Sequence, residues 1–249
     1  MNKVAVMFMI HDESKYLDLV SQAAQGVQNL KGEFDLFLFA YEKTPKEERD
    51  LIDSVIKRPY SLMITPMSID NNIPLKHRWA YQQLVCAGYE YIMINQADDI
   101  PFEDRLIKQL KALQDHPDAG VCLSGYDIII NKEPKTSQTD YFRLCHCGFN
   151  VSYPSCWMFN TKIVPELPDL VGFERPLDYE WDPYILLKIL QDVPIIGLNK
   201  THEIYNIHTN NLSSQIPPIV YQTRFKELCN YYAFLVAEKR LKPYTVIEE

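Results

Sequence analysis

Glycine is scarce in this chain, with 8 among 249 residues. Neither G-x-G-x-x-G nor G-x-x-x-x-G-K-[ST] occurs, which excludes the dinucleotide fingerprint and the P-loop. Both motifs need glycines so that backbone amides can close around phosphates, and such a cradle is hard to build here. No apolar run is long enough for a transmembrane helix. Positive charge is in deficit: 25 Lys and Arg face 33 Asp and Glu, a formal net charge of −8, and the pI is about 5.3. No basic stripe stands out, so nucleic acid is not an expected partner. An acidic chain that handles phosphorylated ligands needs a metal ion or local Lys and Arg to offset repulsion. The opening MNKVAVMFMIHDES lacks a small-residue cleavage site and reads as a first strand, not a signal peptide. The six cysteines lie at 86, 122, 145, 147, 156 and 229. Cys86 and Cys122 fall in apolar stretches and read as core thiols. Cys145-His146-Cys147 with Cys156 invites a zinc reading, but there is no second Cys pair, and zinc is the minor view. A reducing, cytoplasmic location fits.

What is present is an alternation of apolar runs and helical patterns. Residues 4–10 are almost continuously apolar, as a buried parallel strand would be. A helical pattern follows, with Tyr16, Leu17, Val20, Ala23, Ala24 and Val27 on one face. Strands are expected at 34–40 and 61–65 and helices at 46–57 and 75–87, with a polar loop at 67–74. The second half predicts helices over 102–116 and 182–191, a strand within 121–130, short β segments within 142–159 and a short helix at 161–166. Two more strands are expected at 193–198 and 202–207, then a long amphipathic helix over 219–242. Apolar residues make up 47% and aromatics 12%, enough for a large core. Strands alternating with helices over the first hundred residues predict an α/β fold with a doubly wound, largely parallel sheet, and no interdomain linker is evident.

The chain is organised around residues 89–101, YEYIMINQADDIP. The run Tyr91-Ile92-Met93-Ile94 is a short buried strand, and it stops at Asn95-Gln96 and the adjacent carboxylates Asp98 and Asp99. Pro101 forbids simple continuation of that strand. The acids therefore stand at a strand's C-terminal end, where open α/β sheets bind ligands. Two neighbouring carboxylates repel, so holding them together takes a cation or strong donors. A hard divalent ion shared with a diphosphate is one candidate. A bland alternative is a solvated loop in which Asp99 caps the helix that starts near Phe102.

Four segments in this order resemble the family 2 glycosyltransferases, which have an inverting mechanism and the GT-A fold, implying a single α/β domain with a Rossmann-like, mixed and mainly parallel central sheet flanked by helices. They span roughly the first 215 residues. VAVMFMIHDESKYL resembles the first strand and nucleotide-binding loop, NQADDIPF the Asp-x-Asp-Asp motif, WDPYILLKIL the acid-led catalytic helix, and IYNIHTNNLS the late segment that brings a His to the metal. The resemblance implies a nucleotide-sugar-binding half over 1–100, an acceptor-binding and catalytic half over 101–215, and a C-terminal helical extension over 216–249. It implies donor contacts at His11, Asp12, Glu13, Glu42, Lys76, Arg78, Gln96 and Asp98, and a divalent metal, Mn or Mg, on Asp98 and His208. Asp182 takes the place of the catalytic base, with Glu180 and Asp178 as rivals, and Lys188 stands where an Arg is common. Trp157 and Trp181 are candidate platforms for the acceptor sugar. Gln96 departs from the family's first acid, and Ala40-Tyr41-Glu42 departs from its base-reading acidic pair. The implied activity is transfer of a sugar from a nucleoside diphosphate donor to a hydroxyl of a glycan or lipid-linked glycan, as in polysaccharide biosynthesis. A UDP-sugar is named only because it is the commonest donor of such families. Basic and aromatic residues of the last helix (Arg224, Lys226, Lys239, Arg240 and Lys242 among Phe225, Tyr231, Tyr232 and Phe234) make peripheral contact with the inner face of a membrane a further expectation. Two other classes stay open: a non-catalytic module that binds a sugar nucleotide or glycan, and a sugar nucleotidyltransferase.

Overall fold

The computed structural model describes residues 3–10, 16–42, 44–69, 72–130, 133–134, 154–169, 181–207 and 218–248. The first strand, β1 (Val4–Met9), shows why its sequence is apolar throughout: all six side chains are buried. Val4, Val6 and Phe8 enter one core, Ala5, Met7 and Met9 the other. A strand covered on both faces has no solvent-facing position to mark with a polar residue. Each of the larger side chains, Val4, Val6, Met7, Phe8 and Met9, contributes about 1.5–3 kcal/mol, set against the chain entropy lost on folding.

The order continues with α1 (Leu17–Asn29), β2 (Asp35–Tyr41), α2 (Lys46–Val55), β3 (Tyr60–Thr65), α3 (Ile73–Cys86) and β4 (Tyr91–Gln96). α3 is capped by Asn72, whose side chain accepts the Leu75 amide at 3.0 Å, and Pro74 sits in its first turn. Then come β5 (Ile100–Pro101), α4 (Arg105–Asp115), β6 (Val121–Ile130), β7 (Glu133–Pro134), β8 (Trp157–Asn160), α5 (Trp181–Asp192), β9 (Ile195–Ile207), α6 (Pro218–Ala237) and β10 (Tyr244–Ile247).

The strands form one sheet in the order β10-β9-β6-β8-β4-β1-β2-β3. Pairing is parallel except at β8, which runs against both β4 and β6, and at the two-residue strands β5 and β7. The sheet is thus mixed and mainly parallel, as the sequence predicts. Helices α1, α2 and α4 cover one face and α3, α5 and α6 the other, giving three layers. β6 and β9 lie side by side and shift register at Gly125. A Cβ there would lie 2.6 Å from the Lys200 carbonyl carbon and 2.8 Å from Thr201 Cα, so only glycine lets β9 pass.

Several expectations are corrected. Residues 161–166 form turns, not a helix. The helix expected from 102 starts at Arg105, with Asp104 at its N-cap, so Asp99 does not cap it. The two late strands are one continuous strand, β9. The long last helix ends at Ala237, and residues beyond it return to the sheet as β10, parallel to β9. Cys86 is exposed, while Cys122 is buried as expected.

Candidate functional site

β4 delivers the site. Its pairing with β1 extends one residue past the strand, where the Ala97 amide donates to the Met9 carbonyl at 2.9 Å. The chain then turns through Asp98 and Asp99 and pairs Ile100 and Pro101 antiparallel with Ile204 and Glu203 of β9. Pro101 has no N–H to give, which a two-residue strand tolerates. Gly26 of α1 makes room for this crossing, since a Cβ there would meet Pro101 Cδ at 2.8 Å.

The adjacent acids have different tasks. Asp99 is fully buried and faces inward. Its Oδ2 accepts the Ser155 hydroxyl at 2.6 Å and its Oδ1 accepts the Asn206 amide at 3.0 Å. Burial, more than the neighbouring charges of Asp98 and Glu203, pushes its carboxyl well above the usual carboxylate range. The strong donors that an acid pair demands are therefore present for Asp99. Asp98 is the acid at the tip. The Asn206 side-chain amide donates to its carbonyl at 2.6 Å, which ties the end of β9 to the turn.

Beneath the turn lies a buried polar layer that local sequence patterns did not reveal. It comprises Asn95, Arg105, Gln109, Ser155, Glu203 and Asn206. Arg105 Nη1 lies 2.6 Å from Glu203 Oε2, and both residues are fully out of solvent. Burial raises the Glu203 carboxyl to about 8, with Arg105 pulling the other way. Burial also pushes the Cys156 thiol up. No local sequence signal marks this layer, because Glu203 and Asn206 follow the polar run Asn199, Lys200, Thr201 and His202 within β9.

The other expected donor residues divide. Lys76 is fully buried at the C-terminal ends of β1 and β2. Its Nζ donates to the Ile10 carbonyl at 2.5 Å and sits 3.1 Å from the centre of the Tyr41 ring. Lys76 and Tyr41 thus stand at the root of the loop that follows β1, with Glu42 exposed beside them. Gln96 is half-buried and its backbone amide donates to Ser155 Oγ at 3.1 Å. Arg78 points elsewhere: it pairs with Glu166 and, at 2.8 Å, with Asp169. Lys188 Nζ donates to the Asp169 carbonyl at 2.6 Å, so α3 and α5 are joined through one segment. Trp157 is a core residue rather than a sugar platform. It is fully buried and packs edge to face on Phe159, with centroids 5.9 Å apart. His11, Asp12, Glu13, Asp178, Glu180 and His208 lie outside the described residues, as do Cys145, His146 and Cys147. The same holds for the side chains of Trp181 and Asp182, whose backbone opens α5.

Among the described residues no group of three or more His, Cys, Asp or Glu forms a metal cage. The chemistry still suits a hard cation shared with a diphosphate, because such an ion takes one or two protein carboxylates and draws its other ligands from phosphates and water. Asp98 is the acid that would supply such a carboxylate, and Asn206, two positions before His208 in the sequence, ties the end of β9 to its turn.

No protein-family model matches the sequence, and no curated protein matches it significantly. Solved structures do. Residues 1–349 of S. aureus TarS in complex with UDP-GlcNAc match with a TM-score of 0.66 and 13% identity, over 93% of this chain and 66% of that one. The same fragment in complex with UDP gives 0.64 and 11%, over 94% of this chain and 71% of that one. A further S. aureus TarS structure gives 0.60 and 11%, over 94% of this chain but 39% of that one. At these identities the likeness shows the fold, which is GT-A-like. No described helix is long and apolar enough to cross a membrane.

Proposed function

We propose that this chain is a glycosyltransferase whose nucleoside diphosphate donor sits at the C-terminal ends of β1, β2 and β4, with its diphosphate against Asp98. The observation that carries the reading is the acid-tipped turn after β4, clamped by Asn206 and Ser155, in a fold that TarS uses to hold UDP-GlcNAc and UDP. A UDP-sugar is accordingly the donor to test first. Asp98 and His208 would hold a divalent ion, Mn or Mg. When bound, the ion would supply Lewis-acid stabilisation of the charge on the leaving diphosphate. Lys76 places a cation at the root of the donor loop, and Tyr41 or Glu42 meets the base. At the start of α5, Asp182 takes the proton from the acceptor hydroxyl, with Glu180 and Asp178 as rivals for the role. The acceptor oxygen attacks the anomeric carbon as the bond to the diphosphate oxygen breaks, and the electron pair leaves with the diphosphate. Attack from the far side inverts the centre. The acceptor is a hydroxyl of a glycan or lipid-linked glycan. Exposed Phe234 and Val236 on α6, close in sequence to exposed Lys239 and Arg240, support a membrane-surface approach to a lipid-linked one.

The test is UDP binding and donor turnover with Mn, in the wild type, Asp98→Asn and Asp182→Asn. The reading expects Asp98→Asn to lose binding and turnover, and Asp182→Asn to keep binding and lose turnover. Full activity in both variants would refute it. Binding without turnover in the wild type, across a panel of acceptors, would favour a non-catalytic sugar-nucleotide module, a reading that Gln96 in place of an acid keeps alive.

A further inference from the structure

The residue that grips the acid-bearing turn is neither of its acids. Arg105 opens α4 and is fully buried. Its Nη2 donates to the Ile94 carbonyl of β4 at 2.9 Å and its Nη1 to Asn95 Oδ1 at 3.2 Å. Glu203 of β9 stands 2.6 Å from the same Nη1, and Nε donates to Gln109 Oε1 at 3.0 Å. Gln109 in turn donates to the Cys122 and Cys156 carbonyls at 2.9 and 2.8 Å. Asn95 passes the grip onward, donating to the Gln96 and Asp99 carbonyls at 2.8 and 3.0 Å. Those two carbonyls flank Ala97 and Asp98.

The geometry points to Arg105, with the Glu203 carboxyl 2.6 Å from its fork and Asn95 as relay, as a positioning residue that sets the direction in which Asp98 meets a metal-bound diphosphate; this rests on the donor site proposed above. Stability alone does not require the pair, because apolar residues of similar volume often replace a buried ion pair without loss. What a guanidinium adds is a planar fork of donors at fixed angles, here joining α4, β4 and β9 at the back of one turn. Residues that orient a metal-binding side chain from behind typically change affinity by about 10–100-fold when altered.

The test compares the wild type with Arg105→Lys and with the double variant Arg105→Met/Glu203→Met. Cooperative melting reports the fold, amide exchange of residues 96–99 in metal-free protein reports the turn, and calorimetry reports UDP affinity with Mn. The double variant is expected to melt cooperatively, exchange these amides faster, and bind UDP with Mn about 10–100-fold more weakly. Arg105→Lys keeps the charge but loses the fork, and is expected to move the same way. A folded double variant with wild-type UDP affinity overturns the proposal. If the double variant fails to fold, wild-type affinity in Arg105→Lys overturns it instead. A wild type that binds no UDP with Mn removes the donor-site reading and this proposal with it, whereas wild-type binding with unaffected variants removes this proposal alone.

Discussion

Replacing Asp99 by asparagine and by alanine separates two accounts of the acid pair. In the wild type its carboxyl, out of solvent, accepts the Ser155 hydroxyl at 2.6 Å and the Asn206 amide at 3.0 Å. Asparagine keeps an oxygen for Asn206 and turns its own amide towards Ser155, whose hydroxyl can rotate to accept. Alanine leaves both donors without an acceptor, at about 1–3 kcal/mol each, so about 2–6 kcal/mol together. In a domain whose total stability is about 5–15 kcal/mol, that is a large share. Asparagine is expected to cost about 1 kcal/mol or less. The pH dependence gives the second readout. Burial, Asp98 and Glu203 raise the folded pKa of Asp99 above its unfolded value near ~3.9. Below the unfolded pKa both states are protonated and the contribution to stability is fully present. As pH rises towards the folded pKa, the unfolded chain ionises and the native state does not, so stability falls by at most about 1.4 kcal/mol per pH unit. Asparagine does not titrate, so the advantage of wild type over Asp99→Asn shrinks with rising pH and then reverses. Urea unfolding from about pH 5 to about pH 8 measures it. An asparagine variant as damaged as the alanine one, or a wild-type advantage that grows with pH, would show that an ionised carboxylate carries the clamp and that the reasoning is wrong.

Other outcomes follow from single contacts. Gly125→Ala would drive a Cβ into the Lys200 and Thr201 backbone; a loss of about 3 kcal/mol is expected in denaturant unfolding, and an unchanged midpoint contradicts the bulge. Trp157→Ala should cost about 3–5 kcal/mol as a core cavity, while a folded variant that changes acceptor KM without changing stability would restore Trp157 to the sugar site. Glu203→Gln should flatten the fall in stability between the unfolded Glu pKa near ~4.3 and the folded value of about 8, and pH titrations of unfolding with an unaltered slope would place the burden on another group.

The parts of the fold legible in the sequence were those with a local cause. β1, β2 and β4 carry apolar runs because helices cover both sheet faces, and α1 shows its buried stripe because it has one exposed side. Local pattern does not set the start of α4, because Pro101 pairs with Glu203, and that contact reaches across the chain. The capping role considered for Asp99 failed for the same reason. Its partners lie 56 and 107 residues away, beyond any local pattern. Arg105 was hidden more deeply still. At a helix start an arginine reads as an ordinary surface residue, and only the packing of α4 against β4 and β9 shows that it is buried with Glu203. β10 leaves little trace in the sequence because four residues after a long helix carry little periodicity, and its place is fixed by pairing with β9.

The account's central claim is that the turn after β4 offers Asp98 to a nucleoside diphosphate. A crystal structure of the protein grown with UDP and Mn tests it most directly. The account predicts diphosphate density at the tip of β4, within one cation of Asp98, with the base near Tyr41 and Glu42. Diphosphate bound away from Asp98 would contradict it.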